Sequence, residues 1–203
     1  MECQSSLNDP TTLVVADTSV AINLNATGFV ASILEALPNR IAVVEAVALE
    51  LENGRRRGRD GADALNTLVA AGRIDIVRLG NPGIECFTSL VSGSAAETLD
   101  DGEAATIAYA LEHEATALID ERKANRICAE RYGALATGCT IDILAHDGVG
   151  AALGHSRLAD AVFNALHRGR MRVQTCHMDW VVNLIGNERA AQCVSLPAAV
   201  RTR

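Results

Sequence analysis

The chain has 203 residues, enough for one full domain with a sizeable core and cramped for two. An apolar share of 49% excludes a disordered chain, and with only 3% aromatics the core must be filled by Ala, Val, Leu and Ile. A formal net charge of −7 excludes a surface that is one basic nucleic-acid platform, but it leaves room for a cluster of acids that holds cations beside local basic loops.

The first residues, MECQSSLNDPTT, are polar and lack a basic segment followed by an apolar one, and no run of 18 apolar residues occurs. The expectation is a cytoplasmic protein with no membrane contact. Six cysteines, at 3, 86, 128, 139, 176 and 193, show no C-x-x-C spacing and read as reduced, mostly buried thiols. The pair Cys176-His177 reads as an ordinary loop pair before a metal-ligand one.

In chain order, TTLVVA (11–16) predicts a strand. A helix follows, with Ser19 as N-cap, running until just before Pro38. RIAVV (40–44) predicts a second strand, and EAVALELENG a short helix stopped at Gly54. Residues 61–72 read as a helix and RIDIVRL (73–79) as an edge strand. The Gly- and Ser-rich stretch up to residue 99 predicts one short helix between loops. Residues 100–114 form the clearest helical pattern. A strand at 116–119, a helix at 121–131 and a short strand at 134–137 come next. Helical segments at about 141–147, 156–168 and 177–187, a last strand at 171–175, and an irregular tail after 188 complete the reading. Short strands alternating with helices predict an α/β fold with a mostly parallel sheet. The organisation expected is an N-terminal tail (1–10), a main domain (11–150), a helical extension of the same domain (151–187) and a tail (188–203).

In open parallel sheets functional groups gather at the carboxyl ends of strands. Asp17 ends the strand TTLVVA, and Asp120 ends TALI. Glu50 and Glu103 sit in helices that interrupt otherwise apolar faces. Each has an ordinary alternative. Asp17 and Asp120 suit helix N-caps, Glu50 suits solvent, and Glu103 in a first turn suits the helix dipole. Taken together, the four could converge on one sheet edge. Close carboxylates cannot all stay ionised without compensating charge, and hard divalent cations such as Mg²⁺ or Mn²⁺ supply it. One or two such ions can activate water against a phosphodiester.

VVADTSVAINL, VVEAVALELENGR, DDGEAATIAYALE and ALIDERKANRICAERYGALATGCTIDIL together resemble the PIN-domain nucleases. The likeness is greatest to the branch of VapC-type toxins and stand-alone prokaryotic PIN proteins, and the motifs run in order over about residues 12–147. The resemblance implies a three-layer α/β/α sandwich with a central mostly parallel sheet. It also implies an Mg²⁺- or Mn²⁺-dependent endoribonuclease that hydrolyses RNA by a metal-activated water. Carried over by position, the family's four acids fall on Asp17, Glu50, Glu103 and Asp120. Thr18 and Ser19 match the small hydroxyl residues after the first acid, and Thr140 matches a threonine after the last strand. Asp142 departs from the branch, where a small residue is common. It reads as a helix-start acid first and as a fifth metal ligand second.

Arg55, Arg56, Arg57 and Arg59 form a basic loop just after Glu50, suited to phosphate or to an acidic partner, with a solvated loop as the plain alternative. Arg122 and Lys123, with Arg126, follow Asp120 and could meet phosphates there. Arg168, Arg170 and Arg172 read as plain surface. The expected partners are RNA, an antitoxin protein that silences a toxin, and a second copy in a homodimer. The rival reading is a PIN-like binding or scaffold module with little or no catalysis. An aspartyl-nucleophile phosphotransferase is weaker, because no second Asp follows Asp17 two residues on.

Overall fold

The computed structural model describes residues 7, 9–56, 58 and 60–202. Five strands, β1 (Val14–Ala16), β2 (Ile41–Val44), β3 (Ile74–Val77), β4 (Thr116–Leu118) and β5 (Thr137–Gly138), form one sheet in the order β3-β2-β1-β4-β5. Every pairing is parallel. Side chains alternate across a strand, and the burial follows that rule. Val14, Ala16, Ile41 and Val43 enter one apolar core, while Val15 and Val44 enter the other.

The first core is covered by α1 (Thr18–Ala26), α2 (Val30–Ala36), α4 (Gly61–Ala70), α8 (Thr140–Leu144), α9 (Asp147–His167) and α10 (Met178–Ile185). The second is covered by α5 (Asn81–Val91), α6 (Asp101–Glu112) and α7 (Arg122–Arg131). The result is a three-layer α/β/α sandwich, the fold class that the sequence predicts. The chain also has α3 (Glu45–Arg55), α11 (Asn187–Gln192) and α12 (Ala198–Arg201). All strands point the same way, so their carboxyl ends share one edge. Connections leave β1 toward β2 on one side and the sheet extends to β4 on the other, which opens a crevice between the ends of β1 and β4.

Several local expectations change. The long helix expected up to Pro38 is two helices, α1 and α2, meeting at 111°. The chain turns at Gly28, whose φ of 78° suits glycine, and Thr27 caps the turn by donating to the Leu24 carbonyl and accepting from the Phe29 N–H. The N-cap of α1 is Asp17, not Ser19. Helix α3 continues through Gly54 to Arg55. The Gly- and Ser-rich stretch contains a full 11-residue helix, α5, opened by Pro82 in its first turn. Residues 171–175 form no strand; Met171 and Val173 bury in the first core instead. The segment expected at 141–147 ends at Leu144, and the one expected at 156–168 starts at Asp147, with a break at Gly154. The tail after 188 carries α11 and α12 rather than irregular chain, because Ala190, Leu196 and Val200 are buried in the first core. Cys86, Cys128, Cys139 and Cys193 are free thiols, but Cys176 is disulfide-bonded. It sits exposed on a 3-10 turn, Thr175–His177. No single helix among the described residues is long and apolar enough to cross a membrane.

The 3-10 turn docks the C-terminal third onto the sheet edge. His177 Nε2 lies 3.2 Å from Asp142 Oδ1, and the Cys139 N–H donates to Asp142 Oδ2 at 2.8 Å. Asp142 therefore caps the start of α8 and pairs with His177, as a helix-start acid would. Burial pushes its carboxyl up, but the bonds from His177 and Cys139 outweigh it and hold the group below the usual carboxylate value. A depressed folded-state pKa contributes stability above the ordinary value of 3.8 that is lost as pH falls through the folded value. His177→Ala leaves a buried carboxylate without its partner and should cost about 1–3 kcal/mol near pH 7, with a fall in Tm of about 2–4 °C per kcal/mol. The gap between wild type and variant should narrow only below about pH 4. Calorimetric melts across pH check this, and equal Tm values at pH 7 would contradict it.

Candidate active site

Asp17 follows β1 directly, and its N–H donates to the Leu118 carbonyl of β4 at 3.2 Å, so the ends of β1 and β4 are laced together. The Asp17 carboxylate accepts from the Val20 N–H at 2.7 Å and from Ser19 Oγ at 2.9 Å. It is therefore a helix cap and a crevice acid at once, because the cap bonds occupy only part of its four lone-pair positions. Asp120 ends the segment after β4. It accepts from the Thr140 N–H at 2.8 Å, from Thr140 Oγ1, and from Asn23 Nδ2 at 2.7 Å. The N-cap of α7 is Glu121, so Asp120 is not spent on capping.

Glu50 reaches in from α3. It accepts from Thr18 Oγ1 and, at 2.8 Å, from the Gly102 N–H at the start of α6. Gly102 is required by this close approach. A Cβ there would stand 2.6 Å from Thr18 Oγ1 and 2.7 Å from Glu50 Oε2. One residue on, Glu103 is half-buried in the first turn of α6.

The electrostatics show what the arrangement lacks. Burial, then the charge of Asp120, pushes the Asp17 carboxyl up to about 8, with Glu103 adding to the effect. Burial, then the Asp100 charge, pushes Glu103 up to about 7. Burial also raises Asp120, against the bonds from Thr140 and Asn23. Among the described residues no Lys, Arg or His ion-pairs with Asp17, Glu50, Glu103 or Asp120. Crowded, buried and half-buried oxygen donors with no ion-paired cation among the described residues are a donor set suited to a hard divalent ion.

A family model described as DUF3368, a PIN domain, matches residues 13–187. The chain belongs to this PIN-domain family. No curated protein and no solved structure matches it. PIN domains are generally nucleases and typically use divalent metal ions.

The remaining sequence-predicted residues divide. Thr18 and Ser19 line the cleft while bonding Glu50 and Asp17. Thr140 is fully buried and serves Asp120, so it cannot touch substrate as expected. Asp142 is not offered to the quartet as a fifth ligand, because its oxygens are taken by Cys139 and His177. Cys139, Asp142 and His177 do bring their donor atoms within 4.8 Å of one another. Burial pushes the Cys139 thiol far up, however, which keeps it protonated, and the three already satisfy each other as a cap and a docking pair. Arg55 is tied to Glu52 at 2.9 Å and Asp63 at 3.3 Å rather than free for phosphate. Arg56 is exposed at the end of α3, and Arg57 and Arg59 lie outside the described residues. Arg122 is exposed and makes no ion pair among the described residues. Lys123 bonds the Ala95 carbonyl at 2.7 Å near Glu103, while Arg126 bonds Glu130 and the Ala96 carbonyl.

Sequence reasoning missed Asn23, whose polar side chain in the apolar run AINLNA was the available signal. It also missed the return of the C-terminal third to the site. A cavity of about 610 Å³ runs from Thr18 and Glu50 to Arg168 and Arg170. A smaller one of about 140 Å³ runs from Ser19 and Asp120 to Arg170 and Arg172.

Two outcomes are expected. In the metal-free protein, Asp17 holds a proton in the fold that the unfolded chain has lost between about pH 4 and 8, so stability falls with rising pH across that window. Asn caps helices as well as Asp. Asp17→Asn should therefore melt a few degrees above wild type at pH 8 in EDTA, converge with it near pH 4, and lose Mn²⁺ binding by calorimetry. Gly102→Ala should displace Glu50 and weaken Mn²⁺ affinity about 10–100-fold, read by electron paramagnetic resonance titration.

Proposed function

We propose that this PIN-domain protein is a metal-dependent endoribonuclease. The observation that carries the reading is the quartet of Asp17, Glu50, Glu103 and Asp120 at one sheet edge, none of them ion-paired with a Lys, Arg or His among the described residues, with a cleft leading into it. One or two bound Mg²⁺ or Mn²⁺ ions supply Lewis acidity toward phosphoryl oxygens and a more acidic water.

The chain's own residues do the rest. Thr140 and Asn23 fix Asp120 from three directions. Ser19 and the start of α1 fix Asp17. Thr18 and the Gly102 N–H orient Glu50. Carboxylates held this firmly need little reorganisation when the ion and a phosphodiester arrive. The choice of RNA, a silencing antitoxin partner and a homodimeric state belong to the same proposal and rest on family likeness.

Purified protein should cut labelled single-stranded RNA in Mg²⁺ or Mn²⁺ and not in EDTA. Asp120→Asn should lower the rate at least about 100-fold with its far-ultraviolet circular dichroism unchanged. Cutting that survives EDTA, or an undiminished variant, would overturn the reading.

A further inference from the structure

We propose that residues 168–172 form a phosphate-binding lip over the cleft, in which Arg168 and Arg170 grip the backbone of the nucleic-acid strand beside the scissile position. The inference rests on the nuclease reading and names the part of the chain that holds its substrate.

Three observations carry it. First, Arg168 and Arg170 are exposed and line the larger cavity together with Glu50, and Arg170 also lines the smaller cavity together with Asp120. Neither makes an ion pair with a described residue, although the chain is acidic. By contrast Arg55 pairs with Glu52 and Asp63, and Arg126 of α7 pairs with Glu130. Second, the segment is seated rather than loose. A Cβ at Gly169 would stand 2.6 Å from Asn23 Oδ1 and 2.7 Å from the Ala165 carbonyl, so the backbone lies directly on the side chain that bonds Asp120. Arg172 pairs with Glu121 at 2.7 Å, next in sequence to Asp120. Third, Arg170 has φ 56°, a left-handed conformation that a long side chain adopts only when its surroundings impose it. That backbone holds Arg170 at the seam of the two cavities.

A strand laid in this cleft meets carboxylates and two guanidiniums that make no ion pair with a described residue. Bidentate guanidinium–phosphate geometry suits the two arginines. Few aromatics are available for base stacking, so the contact is with the backbone and is indifferent to sequence.

The test measures binding of a labelled 12-nucleotide single-stranded RNA by fluorescence anisotropy in EDTA across salt, alongside cleavage in Mn²⁺. For R168Q/R170Q, the slope of log K against log salt should shrink by about 1.4, or roughly 25-fold in affinity at 0.1 M relative to 1 M salt. R168K/R170K, which keeps the charges, should retain the slope. R40Q/R73Q removes two arginines that precede β2 and β3 at the opposite edge of the sheet and pair on the surface with Asp75 and Glu35. It should match wild type. An unchanged slope in R168Q/R170Q, an equal loss in R40Q/R73Q, or no RNA binding by wild type overturns the lip. Wild type that binds with the expected slope and cuts nothing in Mn²⁺ keeps the lip and sinks the nuclease reading instead.

Discussion

The structure turns on a repulsion it does not resolve by itself. Asp17 and Asp120 are buried side by side at the carboxyl edge of a parallel sheet, and Glu103 lies close enough to add to the effect. Burial of one carboxylate is costly, and burial of several without a cation drives them toward protonation at neutral pH. A fold evolved only for stability would replace them with apolar residues. Here donors hold Asp17, Glu50 and Asp120 in place and offset part of the cost of ionising them, while burial still keeps Asp17 and Asp120 above the usual carboxylate value.

That constraint explains features elsewhere. The sheet order places the ends of β1 and β4 side by side, so the two aspartates are adjacent although they are 103 positions apart. Gly102 lets α6 come close enough to give its N–H to Glu50, and Gly169 lets the C-terminal segment lie on Asn23. Both glycines are required by close approach. The Asp142–His177 pair and the apolar residues of α10 to α12 then hold that segment against the sheet. The C-terminal third is thus a wall of the cleft as well as an extension of the core.

Much of this was legible in the sequence because it is local. The strands around Val14, Ile41 and Thr116 announce themselves as short β-rich runs, and an acid directly after such a run marks the strand end. Helix starts at Asp101 and Arg122 follow from composition and periodicity. The bend at Gly28 was harder, because both halves share an apolar pattern and only a positive φ separates them. Asp142 shows the limit of motif position. Its identity suited a metal rim, but its neighbour Cys139 and the distant His177 claim its oxygens. The arginines at 168–172 read as plain surface, since no local signal tells which sheet edge a loop crosses after a 21-residue helix. Contacts made across more than a hundred residues are set by topology, and a single sequence does not display them.

The central claim is that the four carboxylates hold a divalent cation. The most direct measurement is the anomalous difference density of crystals grown or soaked with Mn²⁺. The account predicts a peak bounded by oxygens of Asp17 and Asp120, with Glu50 or Glu103 completing the protein ligands. Saturated crystals with no peak there, or with the ion held instead by Cys139, Asp142 and His177, would contradict it.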